Sequence, residues 1–384
     1  MSATDGIPAS ALAPLAEYEI DSRSGFVPAT DPIEQLPEAF RAWEAIVPDL
    51  SALIRSRRLR QVLSKIELVR TLDLMATPER ERALLLLSVF ANGWVWGGDA
   101  PEFRIPPQIS VPLWDVASTL KRPPIVHYAS MALNNWRRLD RSSPLSMDNA
   151  TMQVQFLGGV DEDWFFVCSL GVELAGAPLL PIVHATALRS QGGEEADLCR
   201  ALEQIAEGLE SVLAALARMR EWCDPEAYYL RVRPFLAGWP LPGAIYEGVS
   251  DEPKPYFGGS AGQSSLIQVI DALLGIVHSD RLAGPYLRGI RPYMPWGHRQ
   301  FVQDVERISR LRERAILGSA SLRSGYNCAV EQLLRFRKQH MVLTHEYIVS
   351  PSGMRVDEQG TGGTTFVDFL RDAERSTAAA RLDD

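Results

Sequence analysis

The run from Tyr326 to Val349, YNCAVEQLLRFRKQHMVLTHEYIV, constrains the fold more than any other stretch of the chain. Val330, Leu333, Leu334, Met341, Thr344 and Ile348 recur at steps consistent with a helix that lays one apolar face on a core. Two polar residues interrupt that face. Arg337 and His340 are three apart and project to the same side. A guanidinium and an imidazole inside an apolar stripe are costly unless something satisfies them. A backbone carbonyl or a bound iron would satisfy the imidazole, and an acidic group the guanidinium.

Composition narrows the classes. At 384 residues the chain is long for one core, so two packed subdomains are expected. A net charge of −9 leaves no basic stripe to neutralise phosphates, which argues against nucleic acid as a partner. The opening MSATDGIPASALAPLAEYEI has no charged segment followed by an apolar run, so no secretory signal is expected. No stretch of about 18 apolar residues predicts a membrane span. Cys168, Cys199, Cys223 and Cys328 are scattered without a CxxC pair, which suits free thiols in a reducing cytoplasm.

Along the chain, residues 1–37 read as an irregular leader lying on the body. Phe40, Trp43, Ile46 and Val47, and then Leu59, Leu63, Ile66, Val69 and Leu72, suit helix faces. Pro78 opens a Leu-rich helix that ends at Gly97 and Gly98. Residues 99–124 carry six prolines and read as an extended connection. Ile125 to Trp136 is predicted helical. Thr151–Phe156 alternates and Trp164–Ser169 is aromatic and β-branched, so a hairpin across Gly158–Asp163 is expected. The boundary between a smaller domain, residues 1–155, and a larger one, residues 156–384, falls beside it. Pro178 and Pro181 must kink or split a helix over Gly171–Thr186. Leu198, Leu202, Ile205, Leu209, Val212, Leu216 and Met219 form a seam on a long helix, and Asp224 with Pro225 caps the next. The expected class is mainly α with a small β-hairpin.

Six histidines, His127, His184, His278, His298, His340 and His345, compete for any metal. None forms an HExxH pair, and His340 alone sits mid-helix on the buried face. FGGSAGQSS, with Gly258, Gly259 and Gly262, lacks the GxxxxGK[ST] of a nucleotide loop, yet glycines opening a helix let backbone amides approach an anion. Gly360–Thr364, GTGGT, is predicted to be a mobile loop able to close over a site.

Four stretches in this order, Phe257–Ile276, RPYMPWGHRQF (Arg291–Phe301), Tyr326–Val349 and GTGGTTFVDFL (Gly360–Leu370), resemble the haem domain of the indoleamine 2,3-dioxygenase family. WFFVCSLGVE (Trp164–Glu173) and RPPIVHYASMALNNW (Arg122–Trp136) extend the resemblance over roughly residues 90 to 375. It implies a two-domain helical fold holding haem b, with His340 as the iron ligand and Arg337 paired to Asp271. Ser260 and Ala261 would line the pocket, with Gly259 and Ser260 beside the cofactor. Tyr128, Phe165 and Ser169 would wall an indole, with Met131 where the family has a cysteine. Tyr228 and Arg233 would lie over the substrate, Arg233 taking its carboxylate in two parallel hydrogen bonds. Thr361 would touch the ammonium or a propionate. The family often has two phenylalanines where this chain has Tyr228 and Tyr229. The implied reaction is cleavage of the indole C2–C3 bond of L-tryptophan by O2, with a cellular reductant, in a cytoplasmic monomer. Oxygenation of a modified indole by one atom, a haem-based gas or redox sensor and a haem-free interaction protein are the alternatives.

Overall fold

The computed structural model describes residues 11–69, 76–353 and 366–383. After short helical turns at Arg41–Glu44, Leu50–Arg55 and Leu59–Leu63 come α1 (Thr77–Trp96) and α2 (Pro107–Thr119). Then follow α3 (Val160–Gly176), α4 (Leu179–Arg189), α5 (Glu195–Ala217), α6 (Ser265–Leu274) and α7 (Ala283–Ile290). The chain closes with α8 (Trp296–Ile308), α9 (Leu311–Leu317), α10 (Ala320–Thr344) and α11 (Phe366–Ala378). The fold is mainly α, as expected. Buried side chains from Leu12 to Ala380 join one contiguous apolar core.

The central packing is α5 against α10. Ser319 caps α10 by accepting the Leu322 N–H at 3.2 Å. Val330 and Leu333 are fully buried, as are Leu198, Leu202, Ile205, Leu209 and Val212 on α5. Each such side chain contributes roughly 1.5–3 kcal/mol relative to exposure, so the seven-residue seam alone fixes how these two helices lie. Asp224 caps the turn after α5 by accepting the Ala227 N–H at 2.9 Å. The described part of the leader, from residue 11 on, lies on the body: Tyr18 donates its hydroxyl to Asp304 on α8 at 2.7 Å.

Several local expectations are corrected. Trp164–Ser169 is helix, inside α3, and not half of a hairpin. Its start is fixed by acids: Glu162 accepts the N–H groups of Phe156, Leu157 and Gly158, and Asp163 accepts that of Met152. Carboxylates in a first turn complement the helix dipole, and a short aromatic run buried on most sides gives no period to separate strand from helix. Thr151 and Met152 do form a strand, but β3 (Ala150–Met152) pairs antiparallel with β2 (Trp136–Arg138). The predicted helix Ile125–Trp136 is consequently cut to one π-helical turn, Ala129–Leu133.

The proline-rich connection holds α2: Pro106 and Pro107 occupy its start, where no N–H is needed, while Ile109, Leu113, Val116 and Ala117 bury one face. A second sheet went unpredicted: β1 (Arg104–Ile105) runs parallel to β4 (Trp239–Tyr246), which pairs antiparallel with β5 (Ser250–Tyr256). Prolines at 240, 242, 253 and 255 mask the alternation of these edge-type strands. The expected split near Pro178 is present, a 43° bend between α3 and α4. Val69 ends a described stretch and Leu72 lies outside the described residues, as does the GTGGT run with Thr361.

Candidate active site

A cavity of about 260 Å³ opens between α3, α5, α6 and α10, with α7 and α11 contributing Tyr286, Leu287, Phe369 and Leu370. Its lining is mostly apolar, including Met131, Phe165, Phe166, Leu216, Ile267, Phe336 and Leu343. A concave apolar pocket with a few convergent polar groups is the usual form of a small-molecule site.

One wall comes from α6 and α10. Arg337 donates from Nη2 to both carboxylate oxygens of Asp271, each at 2.6 Å, and His278 Nε2 lies 2.9 Å from Asp271 Oδ2. Burial alone would push Asp271 up, but the charges of Arg337 and His278 outweigh it and hold the carboxyl below its usual range. Arg337 Nε is buried with no partner among the described residues. One helical turn on, His340 lines the cavity with its ring parallel to that of Phe336, the centroids 6.3 Å apart. Burial and then the Arg337 charge push the imidazole down to about 4, so it stays neutral with a lone pair available.

The opposite wall comes from α3, the Tyr128 turn and the glycine-rich segment. Tyr128 donates its hydroxyl to Glu173 at 2.9 Å and lies 3.2 Å from the Ser169 carbonyl. Ser264, which caps α6, donates to the same Glu173 oxygen at 2.5 Å. Gln263 ties the parts together, accepting the Tyr128 N–H at 2.9 Å and donating to the Gly258 carbonyl at 2.8 Å. Gly258 must be glycine, because a Cβ there would collide with the Leu236 carbonyl oxygen. Ser169 donates to the Phe165 carbonyl at 3.1 Å, and Phe165 packs on Tyr228 with ring centroids 4.6 Å apart.

The six histidines separate cleanly. His184 meets the Ala13 carbonyl, His298 the Glu19 carbonyl and His278 Asp271, while His345 is exposed. His127 lines the cavity, although no histidine was expected on the Phe165 side. Its Nδ1 accepts the Ser130 N–H at 3.2 Å, which places its proton on Nε2, and burial with the Arg122 charge keeps it neutral. His340 lines the cavity and has no ring hydrogen bond among the described residues.

Of the other residues singled out in the sequence, Tyr128, Phe165, Ser169, Tyr228, Gly259, Ser260, Ala261, Asp271 and Arg337 all line this one cavity. Arg233 does not: its guanidinium lies over the Tyr229 ring, 5.3 Å from the centroid. The roles of Glu173 and Gln263, and the pairing of His278 with Asp271, are not foreseen in the sequence. Glu173 carried a signal, an acid at four-residue spacing from Phe165 and Ser169 in an otherwise apolar run. His278 carried none, because it lies past the Gly275 helix end.

The sequence profile described as "Indoleamine 2,3-dioxygenase" matches residues 14–380. The chain belongs to the indoleamine 2,3-dioxygenase family. It is 34% identical to indoleamine 2,3-dioxygenase 1 of Rattus norvegicus, over 96% of each chain, and 33% identical to an indoleamine 2,3-dioxygenase of Aspergillus candidus, over 95% of this chain and 96% of that one. It is also 30% identical to a protein named myoglobin from Haliotis madaka, over 94% of this chain and 97% of that one. As an indoleamine 2,3-dioxygenase family member it is a haem-dependent oxygenase of the indoleamine/tryptophan type, acting with O2. Its cavity suits a haem: an imidazole with no ring hydrogen bond among the described residues lines mostly apolar walls, and beside it stands a buried guanidinium N–H that has no partner among those residues. No single helix among the described residues is long and apolar enough to cross a membrane.

Proposed function

We propose that the cavity holds haem b through His340, and that the loaded enzyme opens the C2–C3 bond of L-tryptophan or a related indoleamine with O2 to give N-formylkynurenine. The observation that carries this reading is His340, the one cavity-lining histidine with no ring hydrogen bond among the described residues. The chemistry a haem brings to such a cavity is activation of O2 by iron, which no side chain provides.

The remaining work falls to the chain. Asp271 fixes the Arg337 guanidinium through two hydrogen bonds, leaving Nε–H as a donor for a propionate. Gly259 and Ser260, on the opposite wall of the cavity, would lie beside the cofactor. Tyr128, Phe165 and Tyr228 stack the indole. The Ser169 hydroxyl already donates to Phe165, so its lone pairs accept the indole N–H. Arg233, now lying over Tyr229 outside the cavity lining, would turn inward to take the substrate carboxylate; Ser260 and Ala261 bound the pocket; and Thr361, outside the described residues, would touch the ammonium or a propionate. His127 offers an N–H and no base, because Nδ1 is engaged by Ser130. Rate enhancement therefore rests on holding the reactants together. In this reading residues 1–155 form a smaller lobe over the substrate side and 156–384 the larger one, and a cellular reductant serves a cytoplasmic monomer.

The test is anaerobic reduction of the haem-loaded protein, then addition of L-tryptophan and isotopically labelled O2. Formylkynurenine with both atoms labelled is expected. One labelled atom would replace this reading with indole monooxygenation. The Haliotis relative favours a second reading, O2 binding without substrate cleavage, which would show as a stable oxygenated spectrum with tryptophan unconsumed.

A further inference from the structure

Glu173 is a buried carboxyl with a crowded side and a bare side. Oε1 accepts from Tyr128 at 2.9 Å and from Ser264 at 2.5 Å. Oε2 is buried with no partner among the described residues. The Tyr128 hydroxyl carries one proton and faces two acceptors, Glu173 Oε1 and the Ser169 carbonyl at 3.2 Å. When Glu173 is ionised, Tyr128 donates to it. When Glu173 is protonated, its own O–H donates to the Tyr128 oxygen, and the phenol proton turns to the Ser169 carbonyl. Ser264 accepts the Leu266 N–H at 3.2 Å while donating to Glu173, so the same carboxyl steadies the start of α6. Tyr128, Ser169 and Ser264 all line the cavity.

We propose that Glu173 is a positioning residue of the indole pocket, setting where the Tyr128 hydroxyl points, and that an indole bound there favours its protonated form. The inference rests on the reading of this cavity as the substrate site. An aromatic ring that fills the cavity removes water from in front of Tyr128 and Ser264, which raises the cost of an ionised, half-satisfied carboxylate behind them. By linkage, substrate then binds more tightly to the protonated enzyme. Burial pushes Glu173 up to about 7, against the lowering by the Ser264 and Tyr128 hydrogen bonds, so the change falls near neutrality.

No nearby charge overrides this. Arg218 pairs with Asp148 and Glu221, and Arg220 with Glu346. On α5, Arg200 pairs with Asp197 and Glu210 with Arg335, while Glu203, Glu207 and, beyond α5, Arg231 are exposed. Among the described residues, the one ionisable group facing Glu173 is the Tyr128 phenol, which burial drives well above its ordinary value.

The experiment follows the tryptophan KM and kcat of haem-loaded enzyme from about pH 6 to about pH 8, in wild type, Glu173→Gln, Tyr128→Phe and Ser264→Ala. Infrared difference spectra of the substrate-free protein follow the protonated carboxyl directly. In wild type KM rises severalfold with pH while kcat moves less. Glu173→Gln abolishes that rise and the carboxyl band, with haem content unchanged. Tyr128→Phe and Ser264→Ala move the inflection to higher pH, because each removes a donor that favours the ionised form. A wild-type KM profile matching that of Glu173→Gln overturns the inference, as does an unshifted inflection in Tyr128→Phe, which decides the matter if Glu173→Gln fails to fold. Absence of tryptophan cleavage at every pH in wild type overturns the substrate reading and this inference together.

Discussion

Asp271 and Glu173 are both buried carboxyls beside one cavity, yet the two walls treat them oppositely. Asp271 has a guanidinium and an imidazole, and stays ionised. Glu173 has two hydroxyls and a bare oxygen, and is pushed up to about 7. Burial acts alike on both; the kind of donor supplied decides the charge. The α10 wall is therefore a fixed ionic scaffold around His340, while the α3 wall is neutral, or nearly so, where an aromatic substrate is to lie.

The harshest test of this contrast is His340→Ala. It removes the side chain the ionic wall is arranged around, and should abolish five-coordinate haem binding and turnover; normal haem spectra in the variant would break the assignment of that wall. Next comes Asp271→Asn, which leaves Arg337 charged and without its counter-ion. Breaking a buried pair in this way costs about 3–5 kcal/mol, read as a lower urea midpoint, whereas Glu173→Gln at about pH 6 should change that midpoint far less. Equal losses would erase the distinction.

A finer test uses pH. Glu173 is raised in the folded chain, so its stabilising contribution is complete below the unfolded carboxyl's pKa and fades as pH rises through about 7. Asp271, held low, behaves in the reverse sense and loses its contribution only in acid. Raising the pH from about 5 to about 7 should lower wild-type stability by roughly 1.4 kcal/mol per pH unit relative to Glu173→Gln, measured as urea midpoints of the pair. The smallest effect is expected at Arg233, outside the cavity lining. Arg233→Ala should raise the tryptophan KM roughly tenfold without altering the haem spectrum, and an unchanged KM would remove it from the substrate side.

Long-range order along one helix was legible; partnership across the fold mostly was not. The stripe on α10 and the seam on α5 repeat their apolar residues often enough to announce which face is buried. The capping by Asp224 and the break at Pro178 are local chemistry, and both stand where the residues put them. Trp164–Ser169 and Pro107–Thr119 were misread because short apolar runs carry no period and prolines at a helix start look like breaks. The Arg337–Asp271 pair came from family likeness, since nothing in either local stretch points to the other. Glu173 with Tyr128 and Ser264, and His278 with Asp271, are meetings of distant segments or lie past a helix end, which no periodicity records.

Three single π-helical turns, Ala129–Leu133, Tyr228–Val232 and His345–Val349, each carry residues of the cavity wall. Such a turn holds one residue more than the α-helical turn it replaces. Taking one residue out of such a turn would rotate the side chains that follow it about the axis, so the shape of this cavity wall depends on how many residues each turn holds as well as on which they are.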